Sequence, residues 1–422
     1  MPELTLIRAG RLVDVVRGEV TADQDVLVRG GRIESVEPSG RPTPGGADVI
    51  DLSGHTVLPG LIDCHTHLIG EIQVSGIPSI QTTAAQETLL GVRHARATVM
   101  AGFTTVRDVG TFRAFADVAL RDAIDAGDVV GPRMAVAGAY ITVTGGGGDI
   151  TGLAPDIALP RDLRFGVADS AEDVRRVVRE LVHGGADFIK VIATGAVLTI
   201  GTRPGVPEYS EEELQAAVDE AGRYGMHVAA HAHGADGIVA AVRAGVRSIE
   251  HGSLADDRAI ALMAERGTYL VADVYNGDHI AVEGLAKGWP AETMRKAAET
   301  TDAQRDAFRK AVGAGVRIAY GTDSGVYPHG RNAIQLPYMV RFGMAPMEAL
   351  RSATVVAAEL LGWDDRVGSL EPGRLADLIA VPGDPLEDLG VLMDVPFVMQ
   401  GGAVLKGPKG PKGPGRGPGA PA

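Results

Sequence analysis

Along the first 58 residues, apolar and polar positions alternate in short runs cut by turns, the pattern of strands with one buried face. Leu4–Ile7, Arg11–Val16, Asp25–Arg29, Arg32–Pro38 and Val49–Leu52 are the predicted strands, with Gly30-Gly31 as a hairpin signal. The far end has the same texture. Gly368–Gly373 reads as a turn and Ala376–Val381 as a strand, while Pro396–Gln400 and Ala403–Leu405 form a hairpin around Gly401-Gly402. Each β-rich piece is too short for a core of its own, so the two are expected to complete one small domain.

Between them the pattern switches repeatedly from strand to amphipathic helix, which implies a parallel sheet with crossover helices. Eight strands are predicted at 57–65, 103–109, 133–141, 187–194, 226–232, 247–252, 268–275 and 316–323. Helices fall at Glu172–His183, Glu211–Tyr224 and Ala235–Ala244, and Ser210 with Glu213 has the form of a capping box. The expected fold is α/β: a (β/α)8 barrel over 58–366, with a composite β-sandwich domain from 1–57 and 367–406. A doubly wound open sheet is the alternative, but no Gly-x-Gly-x-x-Gly follows a first strand. The Gly/Pro/Lys tail, 407–422, cannot bury a core and is expected to be disordered.

Composition narrows the class without naming a chemistry. At 422 residues, 45% hydrophobic and 22% charged, the chain has the make-up of a globular enzyme. A net charge of −14 offers no basic stripe for nucleic acid. The one cysteine fits a reducing compartment. With no signal-peptide pattern and no long apolar span, a cytoplasmic protein without membrane contact is expected.

The candidate chemistry sits at the predicted strand ends. In the run LPGLIDCHTHL, residues 58–68, strand alternation puts His65 and His67 on one face and Cys64 and Thr66 on the other. Two such imidazoles are half a metal site, or merely cap a buried strand. Strand 4 carries Lys190 among apolar neighbours, where a bare ammonium is costly. Reaction with carbon dioxide would turn that cation into a bidentate anionic ligand; a salt-bridged lysine is the plainer reading. Strand 5 ends in His231 and His233, strand 6 in His251 and strand 8 in Asp323. Of 11 histidines, five lie at strand ends, which scattered core histidines would not do. Barrel enzymes place their sites there.

Taken together, these motifs resemble the amidohydrolase superfamily of binuclear metal hydrolases over nearly the whole chain. The segments Ile189–Gly195, Tyr209–Leu214, Ser248–Ser253 and Arg351–Gly362 resemble its imidazolonepropionase-related, prolidase-like and ochratoxinase-like branch. By that resemblance His65, His67, carbamylated Lys190 and Asp323 hold one metal ion, and Lys190, His231 and His251 the other. The imidazole-rich set suits Zn first, with Mn or Co as alternatives. A hydroxide between two such ions would attack a carbonyl, with Asp323 shuttling its proton to the departing amine.

His233 is either a substrate contact or a support for the ligands, and Tyr209 resembles the branch's substrate-binding tyrosine or simply packs. Tyr140, Gly147, Tyr275 and His329 are further candidates to face substrate. Asp63 and Glu250 flank ligands as supports or as plain strand-end polar residues. His279 and Arg331 are loop residues that line the pocket or lie solvated. One departure stands out. Peptidases of this branch carry Thr-Gly-Gly-His-Gly-Asp, and here residues 144–149 are TGGGGD. Losing that imidazole is expected to open space for a bulkier substrate. The resemblance implies hydrolysis of a linear amide in a peptide or N-acyl-amino acid, extending to larger or modified peptides. A cyclic-amide hydrolase or deaminase is the alternative, a homo-oligomer is implied, and a degenerate scaffold is the non-enzymatic rival.

Overall fold

A computed structural model describes residues 4–71, 77–154 and 156–407. The tail expected to be disordered lies, from residue 408 on, outside the described residues.

Both chain ends enter one seven-stranded sheet. Its strands are β1 (Leu4–Asp14), β2 (Glu19–Arg29), β3 (Arg32–Pro38) and β4 (Asp48–Pro59) from the N-terminal part. The central segment contributes β5 (Leu61–Thr66), β6 (Phe103–Asp108), β7 (Arg133–Val136), β8 (Tyr140–Ile141), β9 (Ile189–Ile192), β10 (Val228–Gly234), β11 (Ser248–Leu254) and β12 (Tyr269–Val271). The C-terminal part returns with β13 (Leu378–Val381), β14 (Phe397–Gln400) and β15 (Ala403–Lys406). The end sheet runs β15-β14-β13-β4-β1-β2-β3, antiparallel except where β1 lies parallel to β4. Ile7, Val26, Val28, Ile50 and Val57 share one apolar cluster with Leu378, Ala380, Phe397 and Met399, so neither end has a core without the other. The glycines at both hairpins, Gly30-Gly31 and Gly401-Gly402, have positive φ, as the tightest strand reversals require.

The first predicted barrel strand proves to straddle two sheets. β4 ends at Pro59 in the end sheet, and β5 begins at Leu61 in the central wall. The central strands are parallel and almost wholly buried, as when helices cover one face and packed side chains fill the other. Their regular ladders have the orders β5-β6-β7 and β12-β11-β10-β9-β8. The eighth predicted strand, 316–323, forms no ladder among the described residues. Single hydrogen bonds tie it on both sides instead: Cys64 N–H to Tyr320 O and Asp323 N–H to His65 O on one, and Leu270 N–H to Arg317 O on the other. Its extended run breaks at Asp323, whose φ is 56°. Gly321 lets it pass, because a Cβ there would stand 2.2 Å from Val271 Cγ1 and 2.9 Å from His65 Cβ.

Two of the predicted helices start where their caps say. Ser210 and Glu213 form the expected capping box before Glu211–Gly222, and Ser170 caps Ala171–His183. Among the helices that the sequence pattern does not mark are Asn276–Lys287 and the 23-residue Ala291–Gly313. They cover the region after β12, and His279, expected in a loop, lies on the first of them.

Candidate metal centre

β5 sends Ile62 and Cys64 outward against Ala357 and Leu360, which leaves His65 for the interior. Cys64 is therefore no ligand, as the alternation predicts. His65, His67, Lys190, His231, His233, His251 and Asp323 all line one cavity. The His65 and His251 rings are 4.8 Å apart, His231 and His251 4.6 Å, and His231 and His233 4.6 Å.

Most of these rings are held by one nitrogen, which points the other at the cavity. His65 Nδ1 lies 2.8 Å from Glu250 Oε2, and its Nε2 lies 3.4 Å from Asp323 Oδ1. His67 Nδ1–H donates to Gly110 O at 2.9 Å while Nε2 lies 3.2 Å from the same Asp323 oxygen. His251 Nδ1 bonds Asp273 at 2.9 Å, and His233 Nδ1 bonds Ser253 Oγ at 2.8 Å. A carboxylate or carbonyl behind an imidazole fixes its tautomer and raises its basicity as a ligand. Burial and the Lys190 charge push the His65 imidazole down to about 4, so at neutral pH it offers a lone pair.

Glu250 is wholly buried and also accepts from Arg107 Nη2 at 2.7 Å and from Ser248 Oγ. Arg107, equally buried, donates as well to Cys64 O at 2.6 Å. Asp63 supports the site from below, taking Thr322 Oγ1–H at 2.6 Å and Asn332 Nδ2–H at 2.8 Å, which pins the 322–324 turn against β5. Both carboxylates are thus supports, one of the two readings the sequence left open.

Lys190 differs from its neighbours. It is 2% exposed, and its Nζ has no hydrogen-bond partner. Burial pushes it down to about 8, with Glu250 pulling the other way and Arg107 reinforcing the fall. The ligand atoms of His65, His67 and Asp323 lie within 4.8 Å of one another, and so do those of His251, Asp273 and Asp323.

Residues 56–407 match the amidohydrolase family. The chain belongs to that family. The ochratoxinase of Aspergillus niger is 35% identical over 374 residues, 83% of this chain and 76% of that one. A crystal structure described as a Xaa-Pro dipeptidase with bound methionine in the active site is 40% identical. It has a TM-score of 0.90 and covers 96% of this chain and 100% of its own. The imidazolonepropionase of Symbiobacterium thermophilum is 25% identical over 425 residues, 89% of this chain and 90% of that one. This amidohydrolase is a hydrolase of C–N bonds, on a fold matching the family's barrel structures. The family uses divalent metal ions, and the histidines and aspartates described above form candidate groups for them. No helix among the described residues is long and apolar enough to cross a membrane.

Of the residues expected to face substrate, Tyr140 and Gly147 line the amidohydrolase cavity. Tyr209, Tyr275 and His329 do not. Tyr209 is buried in the core and donates its hydroxyl to Ala168 O at 2.7 Å, which takes it away from substrate. Tyr275 packs edge-on against Tyr327 and Tyr338, and His329 stacks on His94 at 4.3 Å. The glycine at 147 leaves less room than expected. A Cβ there would stand 3.0 Å from Ile192 Cγ2 and 3.2 Å from Ala196 Cβ, so neighbours occupy the space an imidazole would need. The segment is also tied, with Gly147 N–H on Glu208 at 2.8 Å and Gly147 O taking Thr199 Oγ1–H at 2.6 Å.

Sequence reasoning missed Asp273, Asn276 and Gln304. Gln304 Nε2 donates to Asp273 Oδ1 at 2.7 Å, and Asn276 Nδ2 donates to Asp273 Oδ2 at 2.7 Å and to Asp323 Oδ2 at 3.2 Å. Asp273 falls inside the predicted seventh strand, two residues past β12, so a strand-end carboxylate was its one available signal.

Proposed function

We propose that this amidohydrolase cleaves a linear amide bond in a peptide or N-acyl-amino acid, using two divalent ions held inside a closed (β/α)8 barrel. The observation that carries this reading is the convergence on one cavity of His65, His67, His231, His251, Asp323 and the orphaned Lys190 ammonium. The donor set fits such ions. Imidazole nitrogens and carboxylate oxygens suit Zn, with Mn or Co as the other candidates. The buried Lys190 nitrogen gains partners if it becomes a carbamate. The ammonium first gives up one proton to water, the freed lone pair bonds the carbon of carbon dioxide, and a second N–H proton leaves, so that the resulting anion would offer two oxygens to the ions. His65, His67, Lys190 and Asp323 would hold one ion, and Lys190, His231 and His251 the other. Such a pair supplies a nucleophile from water at neutral pH and polarises the substrate carbonyl.

The chain's own groups do the rest. Asp323 takes a proton on its carboxylate and returns it to the departing amine, steadied by the Asn276 amide. Tyr140 supplies a hydrogen bond to the substrate. Its hydroxyl lies 3.2 Å from His67 Nδ1, whose proton is directed at Gly110 O. Against an N–H donor the phenol acts as acceptor, which leaves its own proton free for a carbonyl oxygen in the cavity. His233, turned by Ser253, is placed to contact the same substrate.

The test is to strip the protein with a chelator, restore Zn, Mn or Co, and analyse products from N-acyl-amino acids, peptides and cyclic amides by mass spectrometry. Two fragments with one new amine are expected. A ring-opened single product, or released ammonia, would instead support the cyclic-amide hydrolase or deaminase reading.

A further inference from the structure

Away from the ligand cluster, the cavity carries an apolar wall. Ile280, Ala297 and Val326 form a small cluster of their own, joined by the half-buried Val197 and Leu198. All five line the cavity that holds the histidines. Among the described residues, every ionisable group lining that cavity belongs to the metal-centre cluster or is Tyr140, so the wall itself carries no charge. Pockets of this kind take apolar groups, and a few polar atoms elsewhere fix their orientation.

Two of these five residues, Val197 and Leu198, hang on the segment 195–202, which contains no helix or strand. One buried ammonium holds it. Lys296, 2% exposed, reaches from the helix Ala291–Gly313 and donates to Thr199 O at 2.6 Å, Ala196 O at 3.1 Å and Thr202 O at 3.3 Å. Glu292 Oε1 lies 3.1 Å from the same nitrogen and accepts Gly201 N–H at 2.9 Å. An ammonium has three protons, and these acceptors use them all. Lys296 therefore has no free proton for a substrate anion, and its charge serves the loop. The same helix brings Ala297, Thr300, Thr301 and Gln304 to the cavity at helical spacing, and Gln304 bonds Asp273.

We propose that this wall is the subsite selecting an apolar side chain or acyl group of the substrate, and that Lys296 is the positioning residue that sets its width. The inference rests on the amide-hydrolase reading above and adds the class of group recognised. Its consequence for specificity is direct. A pocket that gains or loses about one methylene of room changes discrimination by about 10- to 200-fold. Ala297→Phe fills the subsite from a rigid helix. Lys296→Met keeps the stem, deletes the ammonium and takes one donor from three carbonyls and from Glu292, which keeps the Gly201 N–H.

The experiment uses two probe pairs on the metal-restored enzyme: N-acetyl-L-phenylalanine against N-acetylglycine, and phenylacetylglycine against N-acetylglycine. The wild type is expected to prefer the apolar member of at least one pair. Ala297→Phe should cut that preference by at least about tenfold. Lys296→Met should cut it mainly through a raised KM for the apolar member, a split that general loss of fold would not give. Calorimetric binding of the same probes to the chelator-treated protein supplies a readout apart from turnover. If neither pair is discriminated in turnover or binding, or if Ala297→Phe leaves the preference intact, the inference is overturned while amide hydrolysis stands. If no amide is cleaved yet the apolar probes bind and Ala297→Phe abolishes that binding, the subsite holds and the functional reading fails. Should Lys296→Met not fold, Ala297→Phe still decides.

Discussion

Replacing Glu250 with Gln separates what the buried carboxylate does for the fold from what it does for the metal centre. The side chain is fully buried and takes three donors, from His65, Arg107 and Ser248. Burial favours its neutral form, yet the charges of Arg107 and Lys190 and the hydrogen bond from His65 hold it well below the usual carboxylate range. Glu250→Gln keeps the shape and removes the charge, leaving the Arg107 guanidinium buried without its counter-ion. Breaking one side of such a pair costs about 3–5 kcal/mol, a large share of a domain's net stability of about 5–15 kcal/mol. The same change weakens the acceptor behind His65 Nδ1, and losing such a support costs about 10- to 100-fold in metal affinity. The double variant Arg107→Met/Glu250→Gln separates the two effects. With no cation left stranded, stability should return to within about 1–2 kcal/mol of wild type, whereas metal affinity should stay low because His65 is still poorly oriented. Guanidinium unfolding measures the first quantity and chelator competition the second. A double variant no more stable than Glu250→Gln would refute the charge-compensation argument. Full metal affinity in Glu250→Gln would refute the orienting role.

Tyr140→Phe removes one donor and should lower kcat by about 10²–10³, the usual loss for an oxyanion donor, with metal content unchanged by atomic absorption. An equal loss of metal would put the tyrosine among the supports of His67 instead. Burial raises the Glu208 carboxyl to about 7, against the Gly147 N–H bond and the Lys296 charge. A raised folded pKa means that this group's stabilisation is complete below the unfolded value near 4.5 and is lost as pH rises through about 7. The melting temperature of Glu208→Gln should therefore gain on wild type between about pH 5 and 8, and parallel curves would contradict the assignment. Cys64 is buried and its thiol is pushed up by that burial, so native protein should resist a thiol reagent that reacts at once after unfolding. Rapid labelling of the folded protein would show that β5 opens.

How far the sequence reached depends on whether a partner lies on the same element or across the fold. Alternation on one strand is a local rule, so His65 with His67 and His231 with His233 were legible as pairs, and Cys64 as a non-ligand. Asp273 was not legible, because nothing in a sequence marks a carboxylate as the partner of a histidine 22 positions earlier. The Ala291–Gly313 helix was missed for a different reason. Its cavity face is Ala297, Thr300, Thr301 and Gln304, small and polar where a helical period is normally traced by large apolar residues. Of the two readings open for Tyr209, competition decides for packing. Once Ser210 caps the next helix, the preceding ring falls into the core and its hydroxyl finds Ala168 O, a satisfied buried phenol. The eighth strand was read from apolar pattern alone, and pattern cannot show that Asp323 leaves the extended region.

That departure carries the last prediction. Asp23, Phe115, His251 and Asp323 are the non-glycine residues with positive φ among the described residues, and two of these four are candidate ligands. Where ligands come in pairs on a strand, alternation suffices to aim both inward. A single ligand at a strand end must be aimed by the backbone, and a left-handed φ of 69° at His251 and 56° at Asp323 does this. For an L-residue that conformation costs about 1–2 kcal/mol. The surroundings over-determine it: Asp323 N–H is bound to His65 O, and Val326 N–H is bound to Asp323 O. Gly and Ala substitutions read the strain directly, since both delete the ligand and differ only in backbone preference. Asp323→Gly should be more stable than Asp323→Ala by about 1 kcal/mol, and His251→Gly more stable than His251→Ala by a similar amount. At His65, which lies in the extended strand β5, the order should reverse, with Ala ahead of Gly by about 0.5–1 kcal/mol. Denaturant midpoints of the six metal-free variants give the comparison. If Ala outranks Gly at 251 and 323 as it does at 65, no strain is stored there and backbone aiming is not what places these two ligands.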